Sequence, residues 1–192
     1  MPLNFPILLT WLRILAIPLL IAVYYLPSGW ATPHERDTAA TLIFIVAAIT
    51  DWADGYFARK LNQTSAFGAF LDPVADKLMV AAALILLVQL GRADAIVAVI
   101  IIGREITISA LREWMAKIGA SKSVAVSMLG KIKTVAQMVA IPLLLYFYSF
   151  AGIDTRQLGT ILIWVAALLT LWSMVYYLRM ARPEIVKQSS KS

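Results

Sequence analysis

The sequence predicts an all-α, polytopic membrane protein, and three observations carry that expectation: an apolar composition, apolar residues gathered into long runs, and a lopsided distribution of basic residues. Of 192 residues, 61% are hydrophobic and only 15% charged. Mean hydropathy is +0.80. Soluble domains run nearer half apolar and a quarter charged, and one of this size has no core large enough to hide so many apolar runs.

The region from Leu3 to Leu12 is apolar but stops at Arg13. A charge at mid-membrane costs about 2.5 to 3.5 kcal/mol on insertion scales. This stretch is therefore expected to be a short N-terminal interfacial helix. The first apolar run, preceded by Asn4 and containing Arg13, lacks the basic start and small-residue cleavage site of a signal peptide, and it is expected to be retained. Six segments follow, near residues 12 to 29, 38 to 59, 73 to 91, 94 to 114, 133 to 150 and 157 to 179. Each is close to the roughly 20 residues that a helix needs to cross the hydrocarbon layer. Gly91 to Asp94 and Ala151 to Arg156 are long enough only for turns, so segments three and four, and five and six, read as hairpins. Residues 1–182 form a single expected membrane domain and 183–192 a polar C-terminal tail.

Six crossings place both termini on one side. That side receives 14 of the 17 basic residues, leaving Arg36, Arg92 and Arg156 opposite. The positive-inside rule then puts both termini in the cytoplasm. The net charge of +6 is explained by a basic rim meeting anionic headgroups and phosphorylated substrates, with no nucleic acid required. There is no cysteine, which excludes thiolate catalysis, disulfides and thiolate metal sites. The single histidine, His34, falls in the outer loop.

The chemistry concentrates between Asp51 and Asp76, in DWADGYFARKLNQTSAFGAFLDPVAD, which holds four of the eleven acidic residues. Only twelve apolar residues, Ala39 to Thr50 counting the threonine, precede Asp51. Asp51 and Asp54 are thus expected on the same helix, set below the cytoplasmic surface. Residues three and four apart share a helix face, so Asp51, Asp54, Gly55 and Ala58 form one stripe: two carboxylates beside two minimal side chains. That suits a bulky phosphorylated group approaching the backbone next to a bound metal. Asp72 followed by Pro73 reads as a helix start with an N-cap and a proline in the first turn, and Asp76 follows one turn later. Four carboxylates facing one space repel unless a cation neutralises them, and hard oxygen ligands favour Mg²⁺ or Mn²⁺, expected as a pair of ions. Each aspartate alone is equally a cap or a solvated charge. Arg59 serves either as a membrane anchor or as a phosphate contact.

Asp51, Asp54, Gly55, Ala58, Arg59, Gly68, Asp72 and Asp76 match, without departure, the pattern DxxDGxxARx8GxxxDxxxD, and in this the chain resembles the CDP-alcohol phosphotransferase family. The likeness extends to Asn4–Arg13, to GREITISALREWMA at 103–116 and to 130–137. The resemblance implies six transmembrane helices around a polar cavity open to the cytoplasm, a homodimer, a CDP-linked lipid donor and two metal ions. It implies metal ligation by Asp51, Asp54 and Asp72, and for Asp76 either metal ligation or the role of general base. It also implies a CDP site built from Asp54, Gly55, Ala58, Arg59 and Gly68. The implied reaction moves a phosphatidyl group from CDP-diacylglycerol to an alcohol and releases CMP.

Glycerol 3-phosphate is the expected acceptor. A phosphorylated acceptor needs cations beyond those that serve the donor, and Arg104, Arg112, Lys131 and Lys133 supply them; serine would not require them. The 103–116 stretch looks like that of bacterial family members that use glycerol 3-phosphate. Glu105 and Arg112 are alternatively a structural ion pair, and Lys131 and Lys133 alternatively rim anchors with one reaching the cavity. Inositol phosphate, serine and phosphatidylglycerol are the alternative acceptors within the same chemistry. An ion or solute transporter is the rival class. Against it stand the absence of an internal repeat and the expectation that no acidic group lies in the outer half of the membrane. The orientation is checked by labelling: a single cysteine at His34 should react with an impermeant thiol reagent from outside and one at Ser121 should not. The reverse pattern would invert the topology.

Overall fold

The structure, a computed structural model, describes residues 5–27, 29–60, 66–119 and 128–189. Six helices account for nearly all of them: α1 (Phe5–Ala22), α2 (Pro33–Lys60), α3 (Ala66–Gln89), α4 (Ala95–Lys117), α5 (Met128–Tyr146) and α6 (Thr155–Ser189). Each matches one expected segment. Two of them, over Ile7–Tyr25 and Thr155–Pro183, are long and apolar enough by themselves to cross a membrane.

Local chemistry sets the helix ends. At the start of α2, the Thr32 N–H and hydroxyl both donate to Glu35, at 2.8 and 2.9 Å, while the Glu35 N–H returns to Thr32 Oγ1 at 3.3 Å. This is a capping box, with Pro33 at the first helical position where no N–H is needed. The same bonds hold the Glu35 carboxyl below its usual range. α3 ends with Gly91 at φ +67°, the Arg92 N–H bonding back to Leu87 O and the Gly91 N–H to Val88 O. That left-handed closure is one glycine adopts without strain. Asp94 then caps α4 by accepting from the Ile96 N–H at 2.7 Å. The expected turn between α5 and α6 is a small hairpin, β1 (Ser149–Phe150) paired antiparallel with β2 (Ile153–Asp154). Its two-residue loop, Ala151 and Gly152, has φ of +50° and +82°, the left-handed pair that matches strand twist.

Two expectations need correction. The Leu3–Leu12 stretch is not a separate interfacial helix: from Phe5 onward it is continuous with the rest of α1, and Arg13 lies inside that helix at 2% exposure. The charge does not stop the helix because carboxylates of α2 and α3 neutralise it. Nor does α3 begin at Asp72. It begins at Ala66 and carries Pro73 in its interior, so Asp72 is a mid-helix side chain, not a cap. At the other end of the chain, α6 continues through Pro183 to Ser189.

Paired contacts give the helix directions. Thr10 meets Asp72 while Arg13 meets Asp76, so α1 and α3 run the same way. Arg104 meets Ser173 while Arg112 meets Tyr177, so α4 and α6 do too. With short connections between neighbours, the start of α1 and the far end of α6 lie at the same end of the bundle. The core is drawn from all six helices, with Leu20, Phe44, Leu84, Ile101, Ile141 and Ile163 at or below 1% exposure. Gly159 lets α6 close on α5, because a Cβ there would stand 2.8 Å from Leu144 Cγ. Outside the core, large apolar side chains such as Leu15, Ile85, Val99, Leu168 and Trp172 are more than half exposed, a surface suited to lipid and not to water.

The end of the bundle where α1 finishes and α2 begins is locked by a buried charge. Asp37 is 1% exposed, pairs with Arg92 Nη2 at 2.8 Å and accepts the Tyr24 hydroxyl at 2.8 Å. Arg92 also donates to Leu145 O at 2.7 Å, satisfying a carbonyl that α5 leaves open at its C-terminus, and lies 4.4 Å over the Phe147 ring. One guanidinium thus joins α2, the α3–α4 turn and the end of α5. The expectation that this half lacks acidic groups fails at Asp37, whose charge is fully engaged. Replacing Arg92 by Met should destabilise the detergent-solubilised protein by about 3 to 5 kcal/mol, because it strands a buried carboxylate. Adding Asp37→Asn should recover part of that loss. An Arg92→Met unfolding midpoint equal to that of the unaltered protein would make the pair dispensable.

Candidate active site

The motif carboxylates lie toward the opposite end of the bundle. α2 carries Asp51 and α3 carries Asp72 and Asp76, the last two one turn apart on a shared face. Each finds a partner on α1. Thr10 Oγ1 donates to Asp72 Oδ1 at 2.6 Å. Three residues later Arg13 Nη1 stands 3.0 Å from Asp51 Oδ1 and bonds Asp76 Oδ1 as well. Two aspartates from different helices thus converge on one cation from a third. Gly68 is buried near the start of α3. The side chains of Asp54, Gly55, Ala58 and Arg59, at the end of α2, and of Lys131 in α5 lie outside the described residues.

Asp51 and Asp76 open into a cavity of about 240 Å³ whose other walls are Pro73, Lys77 and Val80 of α3, Glu105 of α4, and Thr134, Gln137 and Met138 of α5. Behind Glu105 lies a second charged layer. Glu105 Oε1 accepts from Arg104 Nη1 at 3.0 Å and bonds Lys133 Nζ. Arg104, 5% exposed, also donates to Ser173 Oγ at 3.2 Å, and Arg112 donates to the Tyr177 hydroxyl at 3.2 Å. Both guanidiniums lie over the buried Tyr177 ring, at 5.6 and 5.3 Å. Glu105 pairs with two of these three cations and Arg112 turns to Tyr177, so among the described residues this layer is net positive.

The structure therefore brings together Asp51 and Asp76 around the cavity, with Asp72 turned to Thr10 beside them. Arg104, Arg112 and Lys133 are gathered one layer behind Glu105 and do not line the cavity. The alternative of a Glu105–Arg112 pair gives way to Glu105 with Arg104 and Lys133, because α5 brings Lys133 against Glu105 while Arg112 turns to Tyr177. Arg13, a rim charge by the sequence pattern, is a member of the site, as are Thr10, Lys77, Thr134 and Gln137. Thr10 and Arg13 belong to the Asn4–Arg13 stretch that carries the family likeness, and Gln137 to the 130–137 stretch, which was the available signal. Hydropathy could not separate a rim arginine from a buried one.

Among the described residues no three acidic or imidazole side chains close around one point. The chemistry of the donor set nonetheless suits a hard divalent cation. Asp51 and Asp76 present one oxygen each to a shared positive centre, and Asp72, one turn before Asp76, adds a third carboxylate on the same helix.

A bundle that sets aspartates from adjacent helices beside one cavity, with the eight fixed positions of the motif intact, defines a class, and residues 3–172 match it: the chain belongs to the CDP-alcohol phosphatidyltransferase family. It is accordingly an enzyme and a membrane protein. It is 50% identical over 190 residues to the CDP-diacylglycerol–glycerol-3-phosphate 3-phosphatidyltransferases of Escherichia coli (strain K12), Salmonella choleraesuis (strain SC-B67) and Shigella flexneri serotype 5b, an overlap of 98% of this chain and 100% of each relative.

Proposed function

We propose that this chain transfers the phosphatidyl group of CDP-diacylglycerol to sn-glycerol 3-phosphate, giving phosphatidylglycerol phosphate and CMP, at the cytoplasmic face of a bacterial inner membrane. One observation carries the reading: a single cavity has motif carboxylates on one wall and a net positive layer behind the other. The names of relatives matched over essentially the whole chain support the choice of donor and acceptor.

Asp51, Asp54, Asp72 and Asp76 are the proposed metal ligands. Held there, Mg²⁺ or Mn²⁺, singly or as a pair, would supply neutralising charge for the donor diphosphate and the departing CMP. The stripe of Gly55, Ala58 and Arg59 with Gly68 receives the cytidine nucleotide, the small residues admitting it close to the backbone and the arginine meeting its phosphate. Asp76, facing the cavity, takes the proton of the acceptor hydroxyl or completes the metal site. With no histidine near, a carboxylate is the available base. The acceptor phosphate is drawn toward Arg104, Arg112, Lys131 and Lys133, whose positive charge exceeds what Glu105 neutralises. Positioning and charge neutralisation supply most of the rate in such a transfer.

The proposal includes six membrane crossings with both termini cytoplasmic, a single domain over residues 1–182 and a homodimer. The start of α1 and the end of α6 at one end of the bundle, and 14 of 17 basic residues expected on the corresponding side, support the orientation. The transporter reading gains nothing from Asp37, which is held by Arg92 and Tyr24.

Asp76→Asn should keep donor binding and lose about 10² to 10⁴ in turnover, the range typical of general-base removal. Near-normal rates would transfer that role to Asp72. In a CMP-release assay with detergent-solubilised protein, CDP-diacylglycerol and Mg²⁺, glycerol 3-phosphate should be the fastest acceptor. Arg104→Ala should raise the apparent KM for glycerol 3-phosphate roughly ten- to a hundredfold and that for the donor far less, because a charge-assisted phosphate contact is worth about 1.5 to 3 kcal/mol. Faster turnover with inositol phosphate or serine would refute the acceptor, and equal KM effects would place Arg104 in the donor site or the scaffold.

A further inference from the structure

Arg13 is outside the family motif, yet it occupies the place that matters most to the motif carboxylates. Its Nη1 stands 3.0 Å from Asp51 Oδ1 and bonds Asp76 Oδ1, with the side chain only 2% exposed. That nitrogen touches both oxygens, so any other cation shared by them has to contend with it. A hard divalent ion holds carboxylate oxygens at about 2.0 to 2.1 Å. It and a guanidinium nitrogen do not fit at one point, and side by side they repel.

We propose that Arg13 is the resident counter-cation of this site: it neutralises Asp51 and Asp76 until a divalent cation arrives with the donor, and then carries its charge to the donor's diphosphate. The proposal rests on the metal and donor reading above. Its second support is position. Arg13 lines the small pocket of Asp51 and Asp76 and also an apolar groove of about 310 Å³ between α1 and α2, walled by Leu12, Ala16, Leu42 and Val46. A guanidinium leaving the carboxylates therefore stays where an apolar groove meets the site, the place for the phosphate of a lipid whose chain lies in that groove. Its planar fork matches phosphate oxygens. Thr10, three residues earlier, keeps α1 tied to Asp72 while Arg13 changes partner. Cation and Arg13 thus compete when the donor is absent, and donor and cation reinforce each other when both are present, reciprocally.

The test measures Mn²⁺ affinity of the full chain in detergent by the paramagnetic resonance signal of free Mn²⁺, with and without CDP-diacylglycerol. Arg13→Gln, which removes the competing charge, should bind Mn²⁺ at least about tenfold more tightly without donor, an opposite charge at this range being worth one or more decades. Arg13→Lys, which keeps the charge but grips two carboxylates with a hydrated point charge, should fall between the two and covers the case in which the glutamine variant fails to fold. The donor should tighten Mn²⁺ binding to the unaltered protein and do so less in Arg13→Gln. Unchanged or weaker Mn²⁺ affinity in both variants, with Asp51→Asn abolishing it, would overturn the proposal and make Arg13 a fixed strut. No Mn²⁺ binding by the unaltered protein and the Arg13 variants alike would overturn the metal reading and the proposal with it.

Discussion

A charge buried away from water has to be neutralised where it stands, and this molecule is organised by that constraint. Leaving an ion uncompensated in such surroundings costs several kcal/mol, enough to unfold a marginally stable domain. Arg13 shows the constraint most directly, being mid-helix and buried, with its charge met by Asp51 from α2 and Asp76 from α3. The same rule ties Arg92 to Asp37 at the other end of the bundle and Glu105 to Lys133 between α4 and α5. Apolar packing draws the helices together without specifying how far each slides along its neighbour. The ion pairs supply that register, because a shift of one turn would separate each charge from its partner.

The compensation also divides the bundle by function. α2 and α3 carry the motif carboxylates, met by Thr10 and Arg13 of α1, while α4 and α5 gather Arg104, Arg112 and Lys133 with Glu105, and Ser173 and Tyr177 of α6 hold the guanidiniums of Arg104 and Arg112. The cavity lies where these halves face each other. In the proposed reaction this separation keeps the donor diphosphate with its metal on one wall and the acceptor phosphate on the other. The two anionic substrates then meet only at the reacting atoms instead of competing for one positive site.

The locks at the two ends differ in character. At the Asp37 end the carboxylate, guanidinium, tyrosine hydroxyl and helix carbonyl satisfy one another, which suits a scaffold. At the Asp76 end the paired carboxylates remain open to the cavity, so their partner is exchangeable in principle. Sites that bind substrate are drawn from the less completely satisfied parts of a structure.

The six long apolar helices, in approximate position, and the motif carboxylates were legible in the sequence because they depend on short-range regularities: run length, turn residues, and a spacing of three or four that places Asp51 with Asp54 and Asp72 with Asp76. What the sequence by itself could not determine was the partner of each charge. Arg13 looked like a rim anchor that ends an interfacial helix, Asp72 before Pro73 looked like a cap, and Arg92 looked like an ordinary loop charge. In each case local pattern was overridden by a residue at least 55 positions away: Asp76 for Arg13, Thr10 for Asp72, Asp37 for Arg92. Hydropathy prices a charge as though it stood alone, whereas the cost of burying one is decided by its neighbours across the bundle. Which helix faces meet, and hence which charges cancel, was decided only by the tertiary structure.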